Sequence, residues 1–165
     1  MRSLVAYIGL GSNLADPRQQ VCDAITALQH LPHCRLIASS RLYRSKPMGP
    51  AEQPDYINAV AALETSLSPF ALLDGLQAIE QQQGRERDGQ RWGPRTLDLD
   101  LLLYGEQQID DARLKVPHAG LAVRNFVLYP LQEIAADDLI VPGLGRLKTL
   151  VQNCSQNGLE LLHRC

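Results

Sequence analysis

An α+β fold, one antiparallel sheet with helices packed against it, is predicted by three observations. Short apolar runs of strand-forming residues alternate with two amphipathic segments, and each amphipathic segment opens on a capping residue followed by proline. The pieces follow one another in the order βαββαβ. A length of 165 residues corresponds to one domain, residues 1–165. Apolar residues at 45% and charged residues at 21% are globular averages, which exclude a disordered tail, a collagen-like chain and a mucin-like chain. A chain of this size buries about 70% of its unfolded surface and needs neither a disulfide nor a structural metal to stay folded.

Each element has its own signal. Leu4 to Leu10 is an apolar run ended by Gly11, a buried strand. Asp16-Pro17 starts a helix on which Val21, Ile25 and Leu28 recur at helical spacing until Pro32. Cys34 to Ser45 and Tyr56 to Thr65 read as strands flanking a long connection, Lys46 to Asp55, with Pro47, Gly49, Pro50 and Pro54. Long loops inside compact domains are usually functional. Ser68-Pro69 opens a second helix through Leu72, Leu73, Leu76 and Ile79 to Gly84. Arg85 to Arg95 is a second long loop, Thr96 to Tyr104 a strand closed by Gly105, and Gln107 to Val116 a further hairpin or edge piece. Phe126 to Ala135 and Leu147 to Cys154 complete the chain as helices, the first with Pro130 inside it. This order is the ferredoxin-like arrangement with a short C-terminal extension.

Charge and cysteine usage narrow the function. A formal charge of −2 provides no global positive field for tracking a nucleic acid, so an anion site must be local. No apolar stretch reaches the roughly 18 to 20 residues that span a bilayer, and Gly9 and Gly11 arrive too early for a signal-peptide core, which points to a cytoplasmic protein. Cys22, Cys34, Cys154 and Cys165 form no C-x-x-C pair and are expected to be reduced, mostly structural thiols. His30, His33 and Cys34 could be imagined as metal ligands, but Pro32 interrupts them and no second ligand pair follows.

The chemistry concentrates around Asp98 and Asp100. Residues two apart on a strand share a face, with Cα atoms roughly 6 to 7 Å apart, so both carboxylates project together while the flanking leucines project oppositely. Two such anions repel unless cations neutralise them, and paired hard oxygens suit Mg²⁺ bound together with substrate phosphates. A solvated strand face is the alternative. Arg85, Arg87, Arg91 and Arg95 add guanidinium groups just before that strand, and arginine forks match phosphate oxygens in pairs. They equally suit a solvated basic loop in a chain with thirteen Arg and three Lys. Trp92, the only tryptophan, suggests a ring that docks when its loop closes, or a static packing anchor. Gly11-Ser12-Asn13 has the look of a phosphate-cradling turn but lacks the P-loop pattern. The distance from Gly11-Ser12 to Asp98 also weakens a nucleotidyltransferase reading. Tyr56 and Phe126 suit a flat heteroaromatic ligand, with Asn58 able to donate and accept, although core packing accounts for either ring singly. His118, taken alone, is a structural or surface histidine.

Tyr56-Ile57-Asn58-Ala59, Gln83-Gly84-Arg85, the block Arg91-Trp92-Gly93-Pro94-Arg95-Thr96-Leu97-Asp98-Leu99-Asp100 and Val116-Pro117-His118 resemble the 6-hydroxymethyl-7,8-dihydropterin pyrophosphokinases of folate biosynthesis. The resemblance runs in order from the first strand to about residue 136. It implies an αβα sandwich and transfer of the β,γ-pyrophosphoryl unit of ATP to the pterin hydroxymethyl oxygen, with release of AMP. It implies that Asp98 and Asp100 hold two Mg²⁺ ions and that Arg85 and Arg95 clamp phosphate oxygens. Gln77, Glu80, Trp92, Arg113, His118 and Arg124 would lie with the nucleotide. Gly11, Ser45, Met48, Tyr56, Asn58, Trp92 and Phe126 would form the pterin pocket. The partners implied are those two small molecules, with no nucleic acid and no membrane, on a monomer.

Three residues depart from the family pattern. Ala119 follows His118 where a tyrosine is frequent, and Lys115 and Lys46 replace a small polar residue and a proline. These departures bear on nucleotide affinity and loop motion more than on reaction type. A binding-only nucleotide or pterin sensor is the competing reading, and a single-strand RNA module fares worst because only 5% of residues are aromatic.

Overall fold

The computed structural model describes residues 3–46, 54–88 and 97–165, with the side chains of 84–88 excepted. In chain order the elements are β1 (Leu4–Ser12), α1 (Pro17–Gln29), β2 (Cys34–Ser39), β3 (Tyr43–Ser45), β4 (Tyr56–Thr65), α2 (Pro69–Asp88) and β5 (Asp98–Tyr104). The small hairpin β6 (Ile109–Asp110) and β7 (Lys115–Val116) comes next, then a 3₁₀ turn and α3 (Asn125–Ile134). The second hairpin β8 (Ile140–Val141) and β9 (Gly145–Arg146), α4 (Leu147–Gln152) and β10 (Leu159–Leu161) end the chain.

The main sheet is antiparallel, with order β10-β3-β4-β1-β5 and β2 also paired to β4. Each of the first two helices therefore joins strands that have another strand between them, the split arrangement expected from βαββαβ. Alternation sorts the strand side chains onto two faces. Ala6, Ile8 and Leu10, Ala59, Ala61 and Leu63, and Leu97, Leu99 and Leu101 pack against α1 and α2, which contribute Val21, Ala24, Ile25, Leu28, Leu72, Leu76 and Ile79. The opposite face carries Val60, Leu102 and Leu103 against Leu121, Val127, Leu128, Leu131, Val141 and Leu147. The C-terminal extension is thus the second helical layer of an αβα sandwich. A register shift of β1 against β5 between Tyr7 and Ile8 is what lets both Leu102 and Leu103 serve this second core.

The structure adjusts several expectations. β1 does not stop at Gly11 but pairs through Ser12, because β4 continues alongside it to Ile57. Gly11-Ser12 is accordingly strand and not a phosphate-cradling turn. Asp16 marks the start of α1 as expected, yet its side chain makes no cap; its carbonyl accepts from Gln20 N at 3.0 Å. At the second helix the cap is real, with Ala71 N donating to Ser68 Oγ at 3.2 Å. α2 runs past Gly84 to Asp88, since an interior glycine weakens a helix by only about 1 kcal/mol and does not stop it. The strand expected over Cys34 to Ser45 is broken at Ser40, whose hydroxyl accepts from Val60 N at 2.9 Å and so occupies a sheet position with a side chain. Gly105, at φ 55°, makes the left-handed turn that closes β5. No helix among the described residues is long and apolar enough to cross a membrane.

The expectation of reduced thiols holds for Cys34 and Cys154 but is corrected for the other pair, because Cys22 and Cys165 form a disulfide. No spacing rule could find a pair 143 residues apart. The chain end meets α1 because β10 pairs antiparallel with β3 and the tail then runs on beside Leu42, which exchanges backbone hydrogen bonds with Leu162 and His163. Their Cα atoms end 5.6 Å apart, within the range a disulfide needs. Closing so long a loop contributes about 2–4 kcal/mol of stability, mainly by constraining the unfolded chain. Each kcal/mol moves the melting point of a domain this size by about 2–4 °C. Calorimetry should show a midpoint lower by about 4–16 °C for Cys165→Ser, and for the parent protein in excess dithiol. Equal midpoints would mean that the bond contributes nothing.

Candidate active site

Two cavities open at the start of β5. The first, about 210 Å³, is lined by Gly9, Gly11, Ser45, Lys46, Tyr56, Asn58, Asp98, Asp100, Arg124 and Phe126 among others. The second, about 320 Å³, lies on the α2 side and is lined by Leu73, Gln77, Glu80, Leu99, Asp100, Leu101, Arg113, Leu114, Lys115, His118 and Ala119. Asp100 belongs to both, so the edge strand is the wall between them. Asp98 and Asp100 are half-buried and share the face opposite Leu97, Leu99 and Leu101, as the two-residue period requires.

The first cavity is built by β1, β3, β4 and α3. Asn58 and Ser45 are almost fully buried, and Asn58 Nδ2 donates to Ser45 Oγ at 2.7 Å and to Tyr43 O at 3.4 Å. With its amide nitrogen engaged by β3, Asn58 turns Oδ1 toward Gly11. A Cβ at residue 11 would lie 3.3 Å from that oxygen and 4.0 Å from the Tyr56 ring, so glycine is what leaves the space open. Phe126, in the first turn of α3, brings a ring to the same cavity, and the Arg124 guanidinium sits 5.8 Å from its centroid in cation–π contact.

On the other side of β5 the donors come from α2 and from the segment after β7. His118 N donates to Leu102 O at 3.0 Å, which ties this segment to the edge strand. His118 Nδ1 accepts from Gly120 N at 3.1 Å, so in the neutral ring the proton sits on Nε2, which faces Asp100 Oδ1 at 3.8 Å. Arg113 reaches across to α2, donating to Asp74 and, at 3.2 Å, to Gln77 Oε1. Lys115 Nζ pairs with Asp110 at 2.5 Å, and this hydrogen bond holds the Asp110 carboxyl below its usual range. Glu80 Oε2 accepts from the Leu99 backbone N at 2.7 Å. Leu73, Leu101 and Leu114 supply an apolar floor that no sequence motif marked.

Asp98 and Asp100 fit a hard divalent cation. They are neighbouring carboxylates on one strand face, both lining the first cavity and Asp100 the second as well, and no cluster of three or more His, Cys, Asp or Glu that could enclose a metal exists among the described residues. A site with two protein carboxylates leaves its remaining coordination to water and ligand phosphate, as is usual for Mg²⁺.

The sequence profile of 7,8-dihydro-6-hydroxymethylpterin-pyrophosphokinase (HPPK) matches residues 7–136. The chain belongs to the HPPK family. A relative from Pseudomonas aeruginosa, a 2-amino-4-hydroxy-6-hydroxymethyldihydropteridine pyrophosphokinase, is 56% identical over 156 residues, covering 94% of this chain and 95% of that protein. Another of the same name, from Haemophilus influenzae, is 51% identical, covering 97% and 99%. Among solved structures, wild-type Plasmodium falciparum HPPK-DHPS with pterin and p-hydroxybenzoate shares the fold at TM-score 0.69 and 12% identity, over 92% of this chain and 43% of that one. This chain thus spans less than half the length of that HPPK-DHPS chain.

Of the residues expected at the HPPK site, Gly11, Ser45, Tyr56, Asn58 and Phe126 come together in the first cavity, and Gln77, Glu80, Arg113 and His118 in the second. Arg124, expected with the nucleotide, lines the first cavity beside Phe126. Arg85 lies on α2 with its side chain outside the described atoms, and Met48, Trp92 and Arg95 lie outside the described residues. Gly9 and the leucines of the second cavity were missed, since an apolar floor has the same composition as a core.

Two measurements check this geometry. Long-range ¹H–¹⁵N spectra above the imidazole pKa should show His118 as the Nε2–H tautomer; the Nδ1–H form would contradict the Gly120 contact. Ser45→Ala should cost about 1–3 kcal/mol in chemical denaturation, because it leaves the buried Asn58 amide short of an acceptor.

Proposed function

We propose that this chain transfers the β,γ-pyrophosphoryl unit of ATP to the hydroxymethyl oxygen of 6-hydroxymethyl-7,8-dihydropterin, giving the pterin diphosphate and AMP in folate biosynthesis. The observation that carries this reading is Asp100, shared by a cavity with aromatic rings and a buried amide and by a second cavity with the cationic side chains of Arg113 and Lys115 and the imidazole of His118. Transfer between two bound molecules needs their reacting ends to meet, and alignment supplies most of the rate where little covalent chemistry falls to the protein.

Tyr56 and Phe126 offer ring faces to the flat pterin, while Asn58 Oδ1 accepts from its donor edge; this leaves the hydroxymethyl group directed toward the two aspartates. In the second cavity the leucines receive the adenine, Arg113 and Gln77 the ribose side, and His118 Nε2–H donates to a phosphate oxygen. Arg85, Arg95 and Arg124 add cationic forks for the triphosphate and Trp92 accompanies loop closure, as the family resemblance implies. The hydroxymethyl oxygen bonds to the β-phosphorus as the bridging bond to the α-phosphate breaks. AMP leaves with the bridging oxygen, and the hydroxyl proton passes to solvent.

Asp98 and Asp100 would hold two Mg²⁺ ions, which when bound neutralise phosphate charge and help align the attacking oxygen. The pair's own contribution is to keep two anions on one face of a fixed strand. Both cores share one sheet, which supports a single pyrophosphokinase domain over residues 1–165, and we take it to act as a monomer. We place it in the cytoplasm, with ATP and the reduced pterin as its partners.

Incubation with ATP, Mg²⁺ and the reduced pterin should yield AMP and the pterin diphosphate. ADP with a monophosphorylated pterin would refute the reading, and tight binding without turnover would favour a sensor. Asp98→Ala with Asp100→Ala should lower turnover by at least about 10³-fold, the scale of losing a dominant electrostatic stabiliser. Its melting point should stay near the parent's.

A further inference from the structure

We infer that Glu80 is a positioning residue whose carboxylate fixes the backbone of the acid pair, rather than a contact for the nucleotide. The inference rests on the proposed function, because it assigns the work of holding Asp98 and Asp100 in place.

β5 is the edge of its sheet and begins at Asp98 itself, so the acids sit where a strand is held least. Pairing with β1 sets Asp98 opposite Gly11 and Asp100 opposite Gly9. Cross-strand side-chain contacts are the usual source of local sheet stability, and glycine offers none. The two positions that carry the chemistry therefore gain no side-chain support from β1. Leu99, between them, faces Leu10 on β1, and alternate residues of an antiparallel edge strand direct their N–H away from the partner. That outward N–H donates to Glu80 Oε2 at 2.7 Å, a charge-assisted bond at the residue flanked by both acids.

Glu80 is well placed to hold a strand. It is half-buried on α2, next to Ile79 and one turn from Leu76, both buried in the core against the sheet. The helix is thus anchored to the same strands whose edge its carboxylate grips. An oxygen committed to the Leu99 amide holds the strand against fraying and register slip. A slip of one residue would turn both aspartates to the leucine face.

Three proteins test this: the parent, Glu80→Gln, which keeps an acceptor at the same reach, and Glu80→Ala, which removes it. Two readouts are amide hydrogen exchange at Leu99 and Mn²⁺ affinity, measured by water-proton relaxation with a non-hydrolysable ATP analogue bound. A third is affinity for the same analogue without metal. Glu80→Ala should lose Leu99 protection and weaken Mn²⁺ binding about 10–100-fold, the range seen when groups supporting metal ligands are removed. Metal-free nucleotide affinity should change less than about threefold, and Glu80→Gln should restore Leu99 protection and most of the Mn²⁺ affinity. Unchanged Leu99 exchange in Glu80→Ala, or a loss confined to nucleotide affinity, would overturn the inference. So would Glu80→Gln behaving like Glu80→Ala. An Asp98→Asn/Asp100→Asn control separates the two levels. Mn²⁺ binding that survives in it overturns the metal assignment beneath the proposal, whereas loss there with parental binding in Glu80→Ala overturns only the role of Glu80.

Discussion

Two like charges held on one face at the open edge of a sheet are the constraint around which this molecule is arranged. Aspartate is a poor strand former, and a neighbour of equal sign two residues on makes the strand less favourable still. The alternate positions compensate, since Leu97, Leu99 and Leu101 are all buried against α1 and α2. Each methylene taken from water is worth about 0.8 kcal/mol, so one fully buried face holds the strand while the other presents its acids. Beyond Asp100 the same face turns apolar at Leu102, where the second core begins. The site ends where that core starts, and the two cannot be moved independently.

Because β5 is an edge, Asp100 can be reached from both sides. On the β1 side, glycines at the facing positions leave room for a ligand to approach the backbone, and a Cβ at residue 9 would press on Leu102 at 3.3 Å. On the α2 side the β6–β7 hairpin is drawn toward the helix by Arg113 and contributes the polar wall of the second cavity. A central strand would have had a neighbour along each flank and could not have separated two cavities while belonging to both.

The legible parts of the sequence were those with local causes. Alternation placed Asp98 and Asp100 together, the proline signals located the first two helices, and β4 was readable from the strand-forming composition of Tyr56–Thr65. The pairing of Asn58 with Ser45 was less accessible, because it depends on the short strand β3 forming after the Ser40 break. Nor could any spacing show that Glu80 reaches the Leu99 amide or that His118 turns Nε2 toward Asp100. Those contacts depend on how α2 and the segment after β7 lie against β5, which is tertiary information. The disulfide is the extreme case, since it joins the first helix to the last residue.

The chain's end bears on the site by a physical route. The profile match stops at residue 136, yet residues 137–165 complete the support of β3. β3 is three residues long and pairs on its outer edge with β10, so Ser45 owes its position partly to the tail. Glu133 of α3 gathers that edge: its carboxylate accepts from Tyr43 Oη at 2.7 Å and from Arg41 N at 3.0 Å, and lies 3.6 Å from the guanidinium of Arg164 in the tail. Burial and this acidic neighbour both push the Tyr43 hydroxyl above its ordinary pKa, so it stays a donor throughout the neutral range. Tyr43 in turn stands opposite Asn58, the residue whose amide bonds β3 and whose oxygen faces the first cavity. The second helical layer and the C-terminal strand therefore do more than cover an apolar face. They hold in register the short strand on which the orientation of a buried amide depends.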